Sequence, residues 1–492
     1  MTSTGIYDAV KEAVAGRSEH TALTTEGRRW TGGALLRAAE ELAERLARRK
    51  DPRTPVVAEL ADPVATAVLT LACDLAGVLA FHRDPAASAT THALPRRHLL
   101  LRDGRTRNSD GQQARWSTEP SLWGATRELP SPAENAEKAE AAGDTRELPQ
   151  TAQVFCTSGS TGVPTGVVRT PRAVLADARR VGAHLDYGPG HAVVVAAPVF
   201  HLYGNSLGLI APLLRGSPVT YCPGMSLPSR LARAVREAGA ATLVALPYHY
   251  RLLSGVGQGA TTTADIDPAE LAGLRQAVSS GGPLASGTAE RLAERYDFTL
   301  LNCYGSTETA ATSLKPVSGE ESPQDIGAPL PGVEARIVDG ELQVRCDSMA
   351  AGRVTPDGSA MTPLVDEDGW YATGDLAEPG GTSPGGFVLR GRIGHLINVA
   401  GKKVSPVEVE QVMARHPAVD EVQVLPAPDP ERGQVPVARV VLRAEVTPAA
   451  LIGWCRERMP PYQVPRSVEV LSELPRSATG KPLRVPTAEA AR

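Results

Sequence analysis

The sequence predicts an α/β protein in which a large first domain is followed by a smaller domain at the carboxyl end. The chain has 492 residues, which is too long for one ordinary domain. From residue 152 to about residue 305, short apolar runs alternate with segments of helical spacing. After Pro329, closely spaced strand patterns with Gly, Asp and Pro turns replace that alternation. We therefore expect one domain at 1–391 and a smaller one at 392–492.

The amino-terminal part already alternates between helix and strand patterns. Residues 32–49 repeat apolar positions at helical spacing, and residues 55–59 form a short extended run. Residues 64–81 are the most apolar stretch, but Asp74 lies in its middle. We therefore expect a core helix that runs into a strand, and not a membrane span.

Apolar runs in the middle of the chain predict strands that end close to Gly, Pro, Ser or Tyr. They are residues 193–200, 241–247, 274–280 and 298–305. Ligand sites in open α/β sheets gather at the carboxyl ends of strands, so we expect functional residues there. The smaller domain has a helical pattern at 404–416 and strand patterns at 421–425 and 437–443.

Composition excludes several classes of protein. Hydrophobic residues make up 42% of the chain, and the net charge of −4 gives no electrostatic case for nucleic acid or an anionic membrane. The six cysteines lie far apart, without the spacing of a disulfide framework or a zinc site. The amino terminus lacks the pattern of a signal peptide. We expect a reduced cytoplasmic protein, either a monomer or a homodimer.

Residues 103–150 differ from their surroundings, with much Arg, Glu, Ser, Pro and Ala and few aliphatic side chains. The string TRELP occurs in them twice, at 126–130 and at 145–149. The composition is typical of a tolerant surface insertion or linker, and the sequence assigns it no function.

The segment TSGSTGVPTG at 157–166 is rich in glycine and hydroxyl residues. Backbone N–H and side-chain O–H groups in such a loop can surround a polyphosphate. It is not a Walker loop, because the lysine-containing pattern is absent. A loop of this composition on its own is more often a plain turn, so its meaning depends on the rest of the chain.

Further motifs follow in a fixed order: PVFHLYG (198–204), SSGGPL (279–284), NCYGSTET (302–309), GWYATGDL (369–376), GRIGHLINVAGKKVSP (391–406) and PRSATGKPLR (475–484). With this order, the chain from about residue 20 onward resembles the superfamily of acyl- and aryl-CoA ligases, luciferases and peptide-synthetase adenylation domains. The resemblance implies a large domain of stacked mixed sheets and helices with a β-barrel-like part, and a small mobile α+β domain. It also implies use of ATP and Mg²⁺ to convert a carboxylic acid into an acyl-AMP.

The resemblance assigns ATP binding to residues of these motifs. They are Thr157, Ser158, Gly159, Ser160, Thr161, Gly162, Gly281, Gly282, Asn302, Cys303, Tyr304, Gly305, Thr307, Asp375 and Arg392. In the family pattern Tyr304 stacks on adenine, Asp375 accepts the ribose hydroxyls and Glu308 holds Mg²⁺. A hard cation prefers such an oxygen ligand.

Lys481 is the main catalytic candidate, because the family places a lysine there that bridges the acid carboxylate and the α-phosphate. His201 is a second catalytic candidate and closes the acid pocket in the family pattern. The other candidates for the acid pocket are Tyr203, Tyr248, Ser279, Cys303 and Gly305. In the family, amino-acid-activating domains usually carry an aspartate slightly beyond this motif that pairs the substrate ammonium, whereas residues 205–207 here include no acid. The resemblance therefore favours a carboxylic acid without an α-amino group.

The chain departs from the family at two places. Thr165 replaces the lysine of the phosphate loop, and Gly394 replaces the charged residue at the hinge between the domains. Loss of a charge-assisted bond costs roughly 1.5–3 kcal/mol, so we expect weaker binding of ATP. Glycine accepts most backbone torsions, so we expect easy rotation about the hinge.

The thiol acceptor is expected at Gly401, Lys402 and Lys403, and Lys402 and Lys403 could equally be a solvated hairpin tip. Since eleven residues follow Lys481, the thiol is expected from CoA or from a separate phosphopantetheinyl carrier protein. One alternative passes the adenylate to an amine, or adenylates an inorganic oxyanion such as nitrite. A third interpretation is a degenerate nucleotide-binding protein.

Overall fold

The computed structural model describes residues 5–49, 51–85, 94, 97–102, 126–128, 145–158, 164–222, 226–255, 266–282, 284, 287–317, 319 and 324–475. Four sheets and the helices around them make up this part of the chain, and strands and helices are numbered along the chain. Three of the sheets precede Gly394 and the fourth follows it.

The first sheet is mixed, and its two antiparallel pairs lie at its two edges. In spatial order its strands are β15 (Ala310–Val317), β14 (Thr299–Ser306), β13 (Gln276–Ser279), β12 (Ala240–Ala245), β10 (Ala192–Val195), β11 (Val219–Tyr221), β1 (Thr21–Thr25) and β2 (Arg28–Thr31). The inner neighbours pair in parallel, which places the carboxyl ends of β12, β13 and β14 at one edge of the sheet. The four runs predicted as strands in the middle of the chain supply β10, β12, β13 and β14.

The second sheet carries the phosphate-loop motif between two of its strands. In spatial order it consists of β6 (Thr126–Glu128), β5 (Arg97–Arg102), β3 (Val56–Glu59), β4 (Ala80–His82), β8 (Gln153–Ser158), β9 (Pro164–Arg169), β19 (Gly352–Val354), β20 (Ala360–Thr362) and β7 (Arg146–Glu147). The pairs from β5 to β8 are parallel, and β8, β9 and β19 are antiparallel neighbours.

The two TRELP strings are not pure linker. Each contributes a short strand, and these strands, β6 and β7, occupy opposite edges of the second sheet. A sequence of low apolar content can pair at an edge, because one side of an edge strand needs no hydrogen-bonded neighbour. Residues 103–125 and 129–144 lie outside the described residues.

The third sheet is antiparallel and corresponds to the region of closely spaced strand patterns. Its spatial order is β16 (Asp325–Gly327), β22 (Phe387–Arg392), β21 (Tyr371–Pro379), β18 (Glu341–Cys346) and β17 (Val333–Val338). A β-barrel-like arrangement was expected for this part of the chain. Its five described strands form one sheet, with β16 and β17 as the two edge strands.

Helices cover the large sheets and the small domain. They are α1 (Ile6–Val14), α2 (Gly32–Ala47), α3 (Pro63–Ala76), α4 (Pro171–His184), α5 (Leu202–Asn205), α6 (Ala211–Arg215), α7 (Pro228–Ala238), α8 (Pro247–Ser254), α9 (Thr288–Arg295), α10 (Pro406–Ala414) and α11 (Pro448–Arg456). A π-helical turn, Ser206–Ile210, joins α5 to α6, and 3₁₀ turns occur at Pro268–Leu271 and Ile393–His395.

Helix α3 shows how the sequence sets the ends of such an element. The Asp62 side chain accepts a hydrogen bond from the Ala65 N–H at 2.7 Å, and Pro63 occupies the first helical position. Gly77 ends the helix with a φ of 66°, a left-handed conformation that glycine adopts without steric cost. This confirms the predicted core helix that runs into a strand, β4. Among the described residues, no helix is long and apolar enough to cross a membrane.

The small domain has its own sheet and its own core. Strands β24 (Lys402–Val404), β23 (Ile397–Val399), β26 (Gly433–Leu442) and β25 (Val419–Asp429) are neighbours in that order. Strand β27 (Val468–Leu471) pairs in parallel with residues 438–441 of β26. Its buried apolar cluster draws every member from residues 397–468. The largest cluster of the molecule instead joins both large sheets and helices α1 to α4.

Candidate active site

Three predicted nucleotide-binding residues meet where β14, β21 and β22 come together. The Tyr304 hydroxyl donates a hydrogen bond to Asp375 Oδ2 at 2.8 Å, and Arg392 Nε lies 3.8 Å from Asp375 Oδ1. Asp375 and Arg392 are direct cross-strand partners of β21 and β22, so the sheet itself fixes their separation. Burial raises the pKa of Tyr304 far above its ordinary range, which keeps its hydroxyl a hydrogen-bond donor.

Glu308, the predicted metal ligand, lies in the turn between β14 and β15 and is paired with an arginine. Arg353 Nη2 donates to Glu308 Oε1 at 2.8 Å and to the Tyr371 hydroxyl at 2.9 Å. The side chain of Glu308 is 15% exposed and that of Arg353 is 43% exposed, so the pair lies at the mouth of the site. Sequence reasoning missed Arg353, because its position depends on the pairing of β19 with a distant strand.

A buried arginine holds the turn that carries Glu308. Arg169, at the end of β9, is fully buried. Its Nη1 donates to the Thr307 carbonyl at 2.9 Å, and its Nη2 donates to the Ser348 carbonyl at 2.8 Å. A buried guanidinium needs such acceptors, because a buried charge without partners is costly. The turn of Thr307 and Glu308 is thereby fixed to the strand that follows the phosphate loop.

The phosphate loop begins at the end of β8 and returns in β9. Thr157 Oγ1 donates to the Thr165 carbonyl at 3.2 Å, and these two residues are cross-strand partners. Ser158 ends β8. The predicted phosphate-binding residues Gly159, Ser160, Thr161 and Gly162 lie outside the described residues, and so does Lys481, the main catalytic candidate.

The acid-pocket candidate His201 precedes α5. Its Nε2 atom is buried and has no hydrogen-bond partner among the described residues, and its ring lies 4.7 Å from that of Phe200. Burial lowers the pKa of His201, so the imidazole is neutral at pH 7. Ser279, at the end of β13, is also buried with a hydroxyl that has no partner in the described part of the chain.

Tyr203 and Cys303, two further acid-pocket candidates, are held in the core around the ends of β12 to β14. The Tyr203 hydroxyl donates to the carbonyls of Ala245 and Val278, at 3.0 and 2.6 Å, so it joins β12 to β13. Cys303 is 7% exposed, and burial raises the pKa of its thiol to about 12. Tyr248 lies on α8, and Asn302 on β14 pairs with Ser279.

Three of the predicted glycines differ in their backbone and in the space around them. A Cβ at Gly305 would lie 2.0 Å from the Ala310 carbonyl oxygen, so the backbone of the β14–β15 hairpin requires glycine there. Gly281 has a φ of 89°, which favours glycine. A Cβ at Gly282 would meet no described atom within 4 Å.

The predicted thiol-acceptor residues lie in the β23–β24 hairpin of the small domain. Gly401 has a φ of 86°, and its N–H donates to Asn398 Oδ1 at 3.0 Å, so it is the turn residue. Lys402 Nζ lies 4.5 Å from the centre of the Tyr462 ring, and Lys403 is exposed. Both lysines are exposed, as a solvated hairpin tip would be, and Lys402 in addition contacts an aromatic ring.

Tyr462 also lines a cavity of about 530 Å³ that contains three arginines, Arg432, Arg456 and Arg466. The cavity adjoins the hairpin, because the Ala400 N–H donates to the Arg432 carbonyl at 2.8 Å. Sequence reasoning missed this basic cavity, whose members come from three separate segments.

The two domains touch through a charged cluster. Arg251, on α8 of the large domain, forms an ion pair with Glu421 on β25 and lies 3.9 Å from Asp420. All three side chains are at most 16% exposed. A second contact is the hydrogen bond from Ser405 Oγ to the Arg390 carbonyl, at 2.6 Å. Gly394 lies in the 3₁₀ turn Ile393–His395, and a Cβ there would meet no described atom within 4 Å.

Comparison with known proteins identifies the family of the chain. The model of the AMP-binding enzyme family matches residues 10–363, and the model of the AMP-binding enzyme C-terminal domain matches residues 408–481. The chain therefore belongs to the family of AMP-binding enzymes. The superfamily resemblance and the predicted fold class are confirmed.

Two curated relatives are named as CoA ligases. The chain is 33% identical to the 2-succinylbenzoate–CoA ligase of Salmonella typhimurium over 65% of its own length. It is 30% identical to the sulfoacetate–CoA ligase of Cupriavidus necator over 68% of its own length. The matched stretches span 64% and 66% of the two relatives, which is just under two thirds of their lengths.

Solved structures share the fold over nearly the whole chain. ATP-bound MatB from Rhodopseudomonas palustris superposes with a TM-score of 0.76 at 20% identity, covering 97% of each chain. The o-succinylbenzoate CoA synthetase of Bacillus subtilis, in complex with its acyl-adenylate intermediate, gives a TM-score of 0.72 at 23% identity and covers 98% of each chain.

Proposed function

We propose that this protein uses ATP to activate a small carboxylic acid as an acyl-AMP and then transfers the acyl group to the thiol of CoA. The observation that carries the proposal is the junction of Tyr304, Asp375 and Arg392 beside Glu308, within a chain of the AMP-binding enzyme family. The CoA ligase names of two relatives support the second half-reaction.

In the first half-reaction, a carboxylate oxygen of the acid attacks the α-phosphorus of ATP. The bond from that phosphorus to the bridging oxygen of the β-phosphate breaks, and pyrophosphate leaves with the electron pair. Lys481 is proposed to bridge the carboxylate and the α-phosphate, where its charge orients the nucleophile and offsets the developing negative charge. Such a contact contributes about 3–4 kcal/mol to the transition state.

The nucleotide is proposed to bind across the junction of β14, β21 and β22. The ring of Tyr304 would lie against adenine, with Gly281 and Gly282 leaving room for the base. Asp375 would accept the ribose hydroxyls, and Arg392 would bind the same nucleotide. The loop from Thr157 to Gly162, together with Thr307, would surround the phosphates with N–H and O–H donors.

The donor set fits one Mg²⁺ ion held jointly by the protein and the triphosphate. Mg²⁺ is usually bound by one or two carboxylates together with substrate phosphates and waters. Glu308, a single partly exposed carboxylate, would supply the protein ligand. When bound, the ion would screen the charge of the triphosphate.

The acid pocket favours an acid without an α-amino group. His201 is neutral, and the buried polar atoms of His201 and Ser279 have no partners among the described residues, so they are available to hydrogen bond with a substrate. Neither carries the negative charge that would pair a substrate ammonium. Tyr203, Tyr248, Cys303 and Gly305 are proposed to line the remainder of the pocket.

The acceptor is proposed to be CoA, entering beside Gly401, Lys402 and Lys403. CoA carries a diphosphate and a 3′-phosphate, and arginine is the side chain best suited to bind phosphate. The cavity with Arg432, Arg456 and Arg466 next to this hairpin supports that choice over a carrier protein. The small domain, residues 392–492, would reach the acyl-AMP by rotation about Gly394.

A screen of acid-dependent exchange between ATP and labelled pyrophosphate tests the first half-reaction. Aliphatic, aryl and amino acids would be supplied one at a time, and we expect exchange with a carboxylic acid that has no α-amino group. Addition of CoA to the active mixture should then give an acyl-CoA by mass spectrometry. If an amide or an adenylated oxyanion forms in place of the thioester, CoA is not the acceptor. If the protein binds ATP but shows no exchange with any acid, it is a nucleotide-binding protein and not a ligase.

A further inference from the structure

The loop that is proposed to hold the phosphates lacks its cation, because Thr165 stands where the family has lysine. Strand pairing brings a different cation to the same face of the sheet. Strand β19 lies beside β9, and Arg353 is the direct partner of Val167. Partners in an antiparallel pair project to the same face, and so do residues two apart in one strand. The backbone therefore places Arg353 on the same face of the sheet as Thr165.

That face is the one that carries the site. Thr157 and Phe155 on β8 pair with Thr165 and Val167, so they share the face. Phe155 packs against Leu202 and Ala310, which lie next to His201 and at the start of β15. The opposite face of the same strands belongs to a separate apolar core that includes Val168 and Val354.

Arg353 keeps donors for a ligand. Its Nε and Nη2 atoms contact Glu308 Oε1 at 3.3 and 2.8 Å, and Nη2 also reaches the Tyr371 hydroxyl. No hydrogen bond joins its Nη1 to another described residue, and the side chain is 43% exposed. A guanidinium that is held at one edge and open at the other is suited to bind phosphate oxygens.

We propose that Arg353 binds the β- and γ-phosphates of ATP and so replaces the lysine that the phosphate loop lacks. The inference rests on the proposed function, since it assigns a residue to the triphosphate end of the same nucleotide site. Its contact with Glu308 places this cation beside the proposed metal ligand, where pyrophosphate gathers charge as it leaves.

Equilibrium binding of ATP and of AMP to Arg353→Gln tests the proposal, because AMP lacks the phosphates concerned. We expect the Kd for ATP to rise about ten- to hundredfold, from the loss of a charge-assisted bond, and the Kd for AMP to change by less than about twofold. Arg336→Gln is the matched control: Arg336 is 42% exposed and hydrogen bonds to Gln343 on the neighbouring strand of the third sheet. It should leave both constants unchanged.

Two further measurements separate a phosphate contact from an effect through Glu308 or on folding. Binding is repeated in EDTA with Glu308→Gln as the background, where neither Mg²⁺ nor a carboxylate freed from Arg353 can transmit an effect and a direct contact persists. The double variant Arg353→Gln with Thr165→Lys should regain at least about tenfold in ATP affinity, since it returns a cation to the loop. If Arg353→Gln does not fold, Arg353→Lys should fold and retain most of the preference for ATP over AMP.

Three results would each overturn the proposal. Arg353→Gln could lose ATP and AMP affinity equally, it could lose ATP affinity only when Mg²⁺ is present, or it could bind ATP with the affinity of the wild type. The wild-type exchange screen distinguishes this outcome from failure of the proposed function. A chain that binds ATP through Arg353 but shows no acid-dependent exchange would keep this inference and lose the other.

Discussion

Individual side chains of the site are fixed mainly by charged hydrogen bonds to neighbouring strands. Asp375 accepts a hydrogen bond from the Tyr304 hydroxyl, and Glu308 accepts one from Arg353. Arg169 donates to the Thr307 carbonyl and so fixes the turn that carries Glu308. Such bonds are stronger than neutral ones, so they can orient side chains before a ligand arrives. The sequence predicts Tyr304, Glu308 and Asp375 as site residues from their motifs, but it does not predict Arg353.

His82 provides a prediction about pH at the residue scale. It is 1% exposed, stacks on Phe155 and hydrogen bonds to Gln153, and burial lowers its pKa from 6.5 to about 4. Between pH 6.5 and 4 the unfolded chain binds a proton that the folded chain does not, so the free energy of unfolding falls as pH falls. The loss reaches about 3 kcal/mol near pH 4, and the effect is absent above pH 6.5.

Urea unfolding of the wild type and of His82→Gln at several pH values measures this effect. Other titrating groups are common to both proteins, so the difference between the two curves isolates His82. We expect the wild type to lose stability relative to the variant as pH falls from 6.5 to 4. A difference that is independent of pH would contradict a neutral buried imidazole.

At the scale of elements, the sequence predicts best where one pattern decides the structure. Helix α3 is recognisable from its apolar length, and β10, β12, β13 and β14 of the first sheet are recognisable from their apolar runs. Strands β6 and β7 are not recognisable, because edge pairing needs only backbone groups. The pairing of β19 with β9 is not predicted either, because the register between two distant strands leaves no local pattern in the sequence.

The hairpin of β14 and β15 gives a prediction for Gly305→Ala. The new Cβ would lie 2.0 Å from the Ala310 carbonyl oxygen, so the strands must shift at the register irregularity between Tyr304 and Gly305. We expect a loss of about 1–3 kcal/mol in the free energy of unfolding and weaker binding of AMP, because Tyr304 moves. Urea unfolding and AMP titration measure the two effects.

Gly188→Ala is the control, because a Cβ at that position meets no described atom within 4 Å. Its stability should equal or slightly exceed that of the wild type, through reduced freedom of the unfolded chain. Normal stability of Gly305→Ala together with normal AMP binding would show that the hairpin can relax, and the glycine would then need another explanation.

For the whole molecule, the arrangement of the domains depends on contacts that no sequence motif reveals. The connecting segment around Gly394 is recognisable, but the cluster of Arg251, Asp420 and Glu421 joins residues far apart in the chain. Removal of one partner from a buried charged cluster leaves an uncompensated charge, which rotation of the small domain can return to water.

We therefore expect Arg251→Gln to loosen the small domain from the large one. Limited proteolysis should cut the connecting segment faster in this variant, and mass spectrometry of the fragments locates the cut. Arg233→Gln is a control, because Arg233 makes only an exposed ion pair with Glu237 within α7. Equal cleavage rates in the two variants and the wild type would show that the cluster does not hold the domains together.

The most direct test of the account is single-turnover formation of acyl-AMP by Lys481→Ala, with an acid identified by the exchange screen. Quenched samples give the rate of the first half-reaction, and synthetic acyl-AMP with CoA gives the rate of the second. We predict that acyl-AMP formation falls about a hundred- to a thousandfold while thioester formation from supplied acyl-AMP persists. Undiminished acyl-AMP formation would contradict the proposed chemistry of this site.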